Sequence, residues 1–123
     1  MILVDTSVWI DHLRGNEPRL VALLEGGQVL THAFVIGELA LGSLRRRDQV
    51  LDALRNLPRA KVAEDEEVLG FIEDESLGGL GIGYIDAHLL AATRLTPEAS
   101  FWTRDRRLAS VAERLALRLD AKG

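Results

Sequence analysis

Short apolar runs alternate along this chain with longer stretches patterned for helices, and that alternation restricts the fold more than any other feature of the sequence. Ile2-Leu3-Val4, Val29-Leu30-Thr31 and Ser100-Phe101-Trp102-Thr103 are too short for helices and read as strands. After the first, Val8, Trp9, Ile10 and Leu13 form the apolar face of a short helix stopping near Gly15. Pro18 opens a second helix, with Leu20, Val21, Leu23 and Leu24 inward and Gly26-Gly27 at its end. The helical pattern returns from Phe34 through Leu44. Past the join at Arg45-Arg46-Arg47, Val50, Leu51, Leu54 and Leu57 recur at helical spacing until Pro58.

Lys61-Val62-Ala63 is a weak strand candidate. Glu64, Asp65, Glu66 and Glu67 suit the positive end of a helix whose buried stripe is Val68, Leu69 and Ile72. A glycine-rich segment (Gly78, Gly79, Gly81, Gly83) leads into a well-patterned helix from Tyr84 to Arg94. Leu108, Val111, Ala112 and Leu115 mark the last helix, and Leu117-Arg118-Leu119 a final edge strand. The expectation is a single α/β domain over residues 1–123: three layers, α/β/α, with a mainly parallel central sheet. That length buries a substantial core without staples.

In such a sheet the carboxyl ends of the strands open on one edge, where ligands bind. Asp5 and Asp105 follow strands directly, whereas Glu38 and Asp86 lie within otherwise apolar helix patterns. Singly, Asp5 and Asp105 also read as helix caps, and Glu38 or Asp86 could be paired with an arginine. Together in one crevice the four would repel: two unit charges about 4 Å apart cost roughly 4 kcal/mol at an effective dielectric near 20. Convergence therefore calls for a proton or a cation, and a hard divalent ion such as Mg2+ or Mn2+ suits oxygen ligands. Such a site polarises a phosphoryl oxygen and lowers the pKa of a bound water, which points to phosphodiester hydrolysis.

Composition narrows the alternatives. With no cysteine there is neither a disulfide framework nor a thiolate metal site, which suits a reducing cytoplasm. Asp5 interrupts the first apolar run, so no signal peptide is expected, and no stretch is long enough for a membrane span. The net charge of −4 argues against coating a nucleic acid with a basic surface, yet 13 of the 15 basic residues are arginines, which grip phosphate bidentately. No P-loop or nucleophile-elbow pattern occurs. An aspartyl phosphatase would want a second aspartate two residues after Asp5, where Ser7 stands.

Strand-Asp5-Thr6-Ser7, the helical Glu38 before Leu39, Gly81-x-Gly83-x-x-Asp86-Ala87 at a helix start, and Thr103-x-Asp105 after a strand together resemble the PIN domain. More narrowly, they resemble the VapC-type ribonuclease toxins of toxin-antitoxin pairs. The likeness spans nearly the whole chain in order. It implies a Mg2+- or Mn2+-dependent endoribonuclease whose catalytic and metal-binding carboxylates match Asp5, Glu38, Asp86 and Asp105, the last acting through water more readily than directly. Thr6, Ser7 and Thr103 match hydroxyl positions that orient water or ligand. The resemblance also implies an RNA substrate, homodimerisation and neutralisation by a small cognate antitoxin; the first helix and the helix near Leu41 and Leu44 are candidate walls for that partner. The alternative is a non-catalytic PIN-like module that binds RNA or protein.

Other residues carry open readings. Arg104, Arg106 and Arg107 flank Asp105 as RNA-backbone contacts, as a solvated helix start or as partners for the carboxylates. Arg45 to Arg47 read as a solvated face. His12, His32 and His88 show no paired ligand spacing and read as structural or surface residues. The glycine segment lacks a preceding strand, so it reads as a flexible lead-in rather than a phosphate cradle. Trp9, Phe34, Phe71 and Trp102 are most economically core or interface residues.

Overall fold

The first strand is the central one. In the computed structural model, which describes residues 1–120, β1 (Ile2–Val4) lies between β2 (Val29–Leu30) and β3 (Ser100–Trp102), parallel to both. The register sets Leu3 opposite Leu30 on one side and Phe101 on the other. Strands covered on both faces have no polar side to alternate with, and accordingly Leu3, Val4, Val29 and Phe101 are fully buried. The last three residues of the domain expected over 1–123 lie outside the described residues.

Helices flank this sheet to complete the α/β/α layering. They are α1 (Thr6–Gly15) and α2 (Pro18–Glu25) after β1, then α3 (Ala33–Ala40), α4 (Arg47–Arg55), α5 (Asp65–Asp74) and α6 (Tyr84–Leu95) after β2. After β3 comes α7 (Arg106–Arg114). The main core joins Leu3 and Phe101 to Leu20, Leu54, Leu89, Leu90 and Leu108, all but inaccessible to water. Helix α6 is the most enclosed: every residue from Ala87 to Thr93 is buried, and its alanines let neighbours approach closely. Ala87 and Ala91 also close a small cluster with Ala63 and Val68 against α5.

Several expectations are revised. Helix α3 stops at Ala40 rather than running to Leu44, because the Arg47 guanidinium donates to the Ala40 and Gly42 carbonyls that a continuing helix would have used. Arg46 adopts a left-handed backbone (φ 51°) as the chain turns into α4, so this arginine run shapes a turn as well as facing solvent. Lys61-Val62-Ala63 is not a strand. The chain instead touches β2 one step earlier, through a parallel bridge between Arg59 and Thr31, and the Lys61 N–H turns aside to Thr96 Oγ1 at 2.9 Å. Leu117-Arg118-Leu119 contributes only a bridge of Arg118 to Phe101, held by Phe101 N to Leu117 O (2.7 Å) and Leu119 N to Phe101 O (2.8 Å).

Candidate active site

The carboxyl ends of β1 and β3 deliver Asp5 and Thr103 side by side, tied by the Asp5 N–H to the Trp102 carbonyl at 2.9 Å. Asp5 stands at the N-cap position of α1, yet its side chain makes no cap bond. Its Oδ2 instead accepts from Ser7 Oγ (2.7 Å) and Thr103 Oγ1 (2.8 Å), and the carboxylate is only 7 % exposed. Among the described residues no hydrogen bond reaches Oδ1, which keeps its lone pairs for another ligand. Ser7 Oγ further accepts the Arg104 N–H at 2.9 Å, and Thr103 Oγ1 accepts the Asp105 N–H at 3.1 Å. This hydroxyl lattice fixes both Asp5 and the turn that follows β3.

Asp105 fulfils the cap reading: its Oδ1 accepts the Leu108 N–H at 3.0 Å at the start of α7. Asp86 lies in the first turn of α6, where its Oδ2 accepts the Gly83 N–H at 3.0 Å. Partial burial raises its pKa above the usual carboxylate range, and the charges of Asp5 and Asp105 push it the same way, against the Gly83 hydrogen bond. Those couplings place Asp86 in the same field as the two strand-end acids. Glu38, exposed on α3, accepts from Thr6 Oγ1 at 2.8 Å across the mouth of the crevice. The hydroxyl residues Thr6, Ser7 and Thr103 thus bind carboxylates directly.

Arg104 is drawn elsewhere. Its guanidinium pairs with Asp11 of α1 (3.2 Å) and with Glu17, and it lies over the Trp102 ring at 5.5 Å. Glu17 in turn caps α2. Its guanidinium is a carboxylate partner, but of Asp11 and Glu17 rather than of the four acids, and its backbone N–H is what reaches Ser7. No sequence signal links Arg104 to Asp11 and Glu17, because acids so far from it along the chain show no spacing with it. The Gly83 N–H, as a donor to Asp86, was readable from the three-residue offset familiar from helix N-termini.

None of the four acids forms an ion pair with lysine or arginine among the described residues. Nor do three carboxylate or imidazole groups there stand close enough together to enclose an ion. The donor set still fits a hydrated Mg2+ or Mn2+. Such an ion keeps several waters and takes one or two carboxylates directly, so it needs no tight cage. The unrelieved repulsion at Asp86 and the open Oδ1 of Asp5 are what a cation would satisfy.

The histidines stay structural. His32 caps α3, its Nδ1 accepting the Phe34 N–H at 3.0 Å, and His88 Nε2 pairs with Asp65 at 3.2 Å. Phe34 stacks between the two imidazoles, with ring centroids 5.1 and 4.9 Å away, and Tyr84 meets His88 edge-on at 4.7 Å. This column joins the start of α3, which bears Glu38, to the start of α6, which bears Asp86.

Comparison with known proteins agrees with the geometry. The family model described as PIN domain matches residues 2–114. Two relatives, each named Ribonuclease VapC32, come from Mycobacterium tuberculosis strains CDC 1551 / Oshkosh and ATCC 25618 / H37Rv; each is 51 % identical over 108 residues, covering 88 % of this chain and 87 % of the relative. With acids at the expected strand ends and helix starts, and a family match across nearly its whole length, this chain belongs to the PIN-domain family.

Proposed function

We propose that this chain is a divalent-metal-dependent endoribonuclease acting as the toxin of a type II toxin-antitoxin pair. The observation that carries the reading is the lattice around Asp5: a buried carboxylate held on one oxygen by Ser7 and Thr103, left open on the other, and facing the field of Asp86 and Asp105. The names of its relatives support the ribonuclease class.

Asp5, Glu38, Asp86 and Asp105 would hold the ion, one or two of them directly and the others, Asp105 among them, through its waters. A bound Mg2+ or Mn2+ supplies a polarised phosphoryl oxygen and a water of lowered pKa. Ser7 and Thr103 hold Asp5 in place through its Oδ2, leaving Oδ1 to face the ion. Thr6 orients Glu38. Water adds to phosphorus, one P–O ester bond breaks, and the displaced oxygen leaves with a proton.

Purified chain cleaves RNA in Mg2+ or Mn2+ and stops in chelator, whereas Asp5→Asn and Asp86→Asn fold but do not cleave. Full cleavage by either variant, or none by the wild type on any RNA, removes the reading and favours the non-catalytic module.

The partner side rests on a second feature. A groove of about 530 Å³ runs between α1 and the end of α3, walled by Ile10, Leu13, Leu39 and Leu44, with Glu38 at one end. Leu41 stands beside it 90 % exposed, in the turn after α3 rather than in a helix. An antitoxin laying an amphipathic segment there would bring a basic side chain to the carboxylates. Leu13→Asp weakens inhibition by the cognate antitoxin at unchanged RNA cleavage; unchanged inhibition removes the groove from this role. A homodimer is expected from the family, and sedimentation tests it. Among the described residues no helix is long and apolar enough to cross a membrane.

A further inference from the structure

The arginines that follow Asp105 divide into two groups. Arg104 is engaged by Asp11 and Glu17, but Arg106 and Arg107, at the start of α7, form no ion pair or hydrogen bond among the described residues. With Ser110 and Arg114 they line one open groove of about 390 Å³, completed by Leu80 and Val111. Positions 106/107, 110 and 114 recur one and two turns apart, so they share a face extending about 10 Å along the helix. Arg114 keeps its charge, since its guanidinium donates to the neutral carbonyl of Glu75 while the Glu75 carboxylate pairs with Arg94. Among the described residues no acid lines the groove, although the chain as a whole is acidic.

A second observation concerns how Arg107 is held. Gly81 has φ +82°, and a Cβ there would meet Arg107 Nη1 at 2.7 Å and Cδ at 3.0 Å. The bare glycine backbone is therefore what lets the Arg107 side chain, from Cδ to Nη1, lie across the turn leading into α6. One long side chain is packed against the segment that carries Asp86 while its helix begins at Asp105. A guanidinium whose stem is immobilised loses less entropy on gripping a ligand than one waving in solvent.

We infer that this groove is a phosphate track: Arg106, Arg107 and Arg114, with the Ser110 hydroxyl, bind the backbone of single-stranded RNA on one side of the scissile bond. The inference rests on the endoribonuclease reading and gives it a direction, since the strand leaves the carboxylate crevice along α7. Its contacts are to phosphate, so they position the strand without reading its sequence.

The test uses the full chain carrying Asp5→Asn, so that RNA persists, and a fluorescent single-stranded oligoribonucleotide titrated in Mg2+ between 50 and 200 mM salt. Adding R106Q and R107Q weakens binding about tenfold or more and lowers the slope of log K against log salt by about 1.4, two phosphate contacts' worth on a single strand. R106K and R107K, which keep the charge, retain the slope. Unchanged affinity and slope in the glutamine variant overturns the track, as does a variant that loses only its grip on an acidic protein partner while binding RNA normally. Cleavage by the chain with Asp5 intact is scored in parallel. Its absence sinks the endoribonuclease reading itself, whereas intact cleavage with arginine-independent binding sinks only the track.

Discussion

Both hydroxyl bonds to Asp5 end on one carboxylate oxygen, and hydrogen bonds to carboxylates contribute about 1.5–3 kcal/mol each. Thr103→Val removes one of them and also leaves the Asp105 N–H without its acceptor. Thermal unfolding should register a loss of that order together with slower cleavage, and Thr103→Ser should recover both. Asp86→Asn behaves oppositely. The amide still accepts from the Gly83 N–H but no longer repels Asp5 and Asp105, so in metal-free buffer its Tm equals or exceeds that of the wild type. Added Mg2+ then stabilises the wild type, by about 2.7 kcal/mol at a hundred times Kd, and leaves Asp86→Asn nearly unmoved. Gly81→Ala costs about 1–3 kcal/mol through its left-handed backbone, read as a lowered denaturation midpoint.

Helix α3 depends on an imidazole for its start. His32 is 1 % exposed, Nδ1 accepts the Phe34 N–H, and Nε2 is buried with no partner among the described residues. Burial, then the nearby His88 and Arg59, lower its pKa below the ordinary 6.5. The unfolded chain therefore binds the proton first as pH drops. The stability owed to neutral His32 is complete above about 6.5 and drains away below it, toward the depressed folded value. Melting curves from pH 8 to 5 should show this decline, and His32→Asn, which keeps a capping oxygen, should flatten it. His32→Ala loses the cap, about 1 kcal/mol at pH 8, and its deficit against the wild type narrows as pH falls. The helices and the three paired strands were legible in the sequence because the apolar spacing carried them, whereas residues 61–63 and 117–119, also read as strands, did not form them. The early end of α3 was not, since it is decided by Arg47 reaching back to two carbonyls, a contact that no periodicity encodes. The same holds for Arg104: its position beside Asp105 was readable, its partners on α1 and α2 were not.

At the scale of the whole molecule, the order β2-β1-β3 makes the first strand the axis of the sheet. Leu3→Ala, at the inaccessible centre of that axis, should cost about 2–5 kcal/mol by denaturant unfolding, while Leu41→Ala, on the exposed turn, stays within about 0.5 kcal/mol. The layered fold and the four acids could be read from alternation and from acids at element ends; their degree of approach could not, because it depends on strand register and on hydroxyls from distant segments. Asp5 and Thr103 are 98 residues apart, joined only through the parallel pairing of β1 with β3. A ribosome making this chain therefore finishes the central strand long before β3. Until residues 100–105 have emerged, Asp5 lacks both the neighbouring strand and the Thr103 hydroxyl, and the lattice around its carboxylate is incomplete.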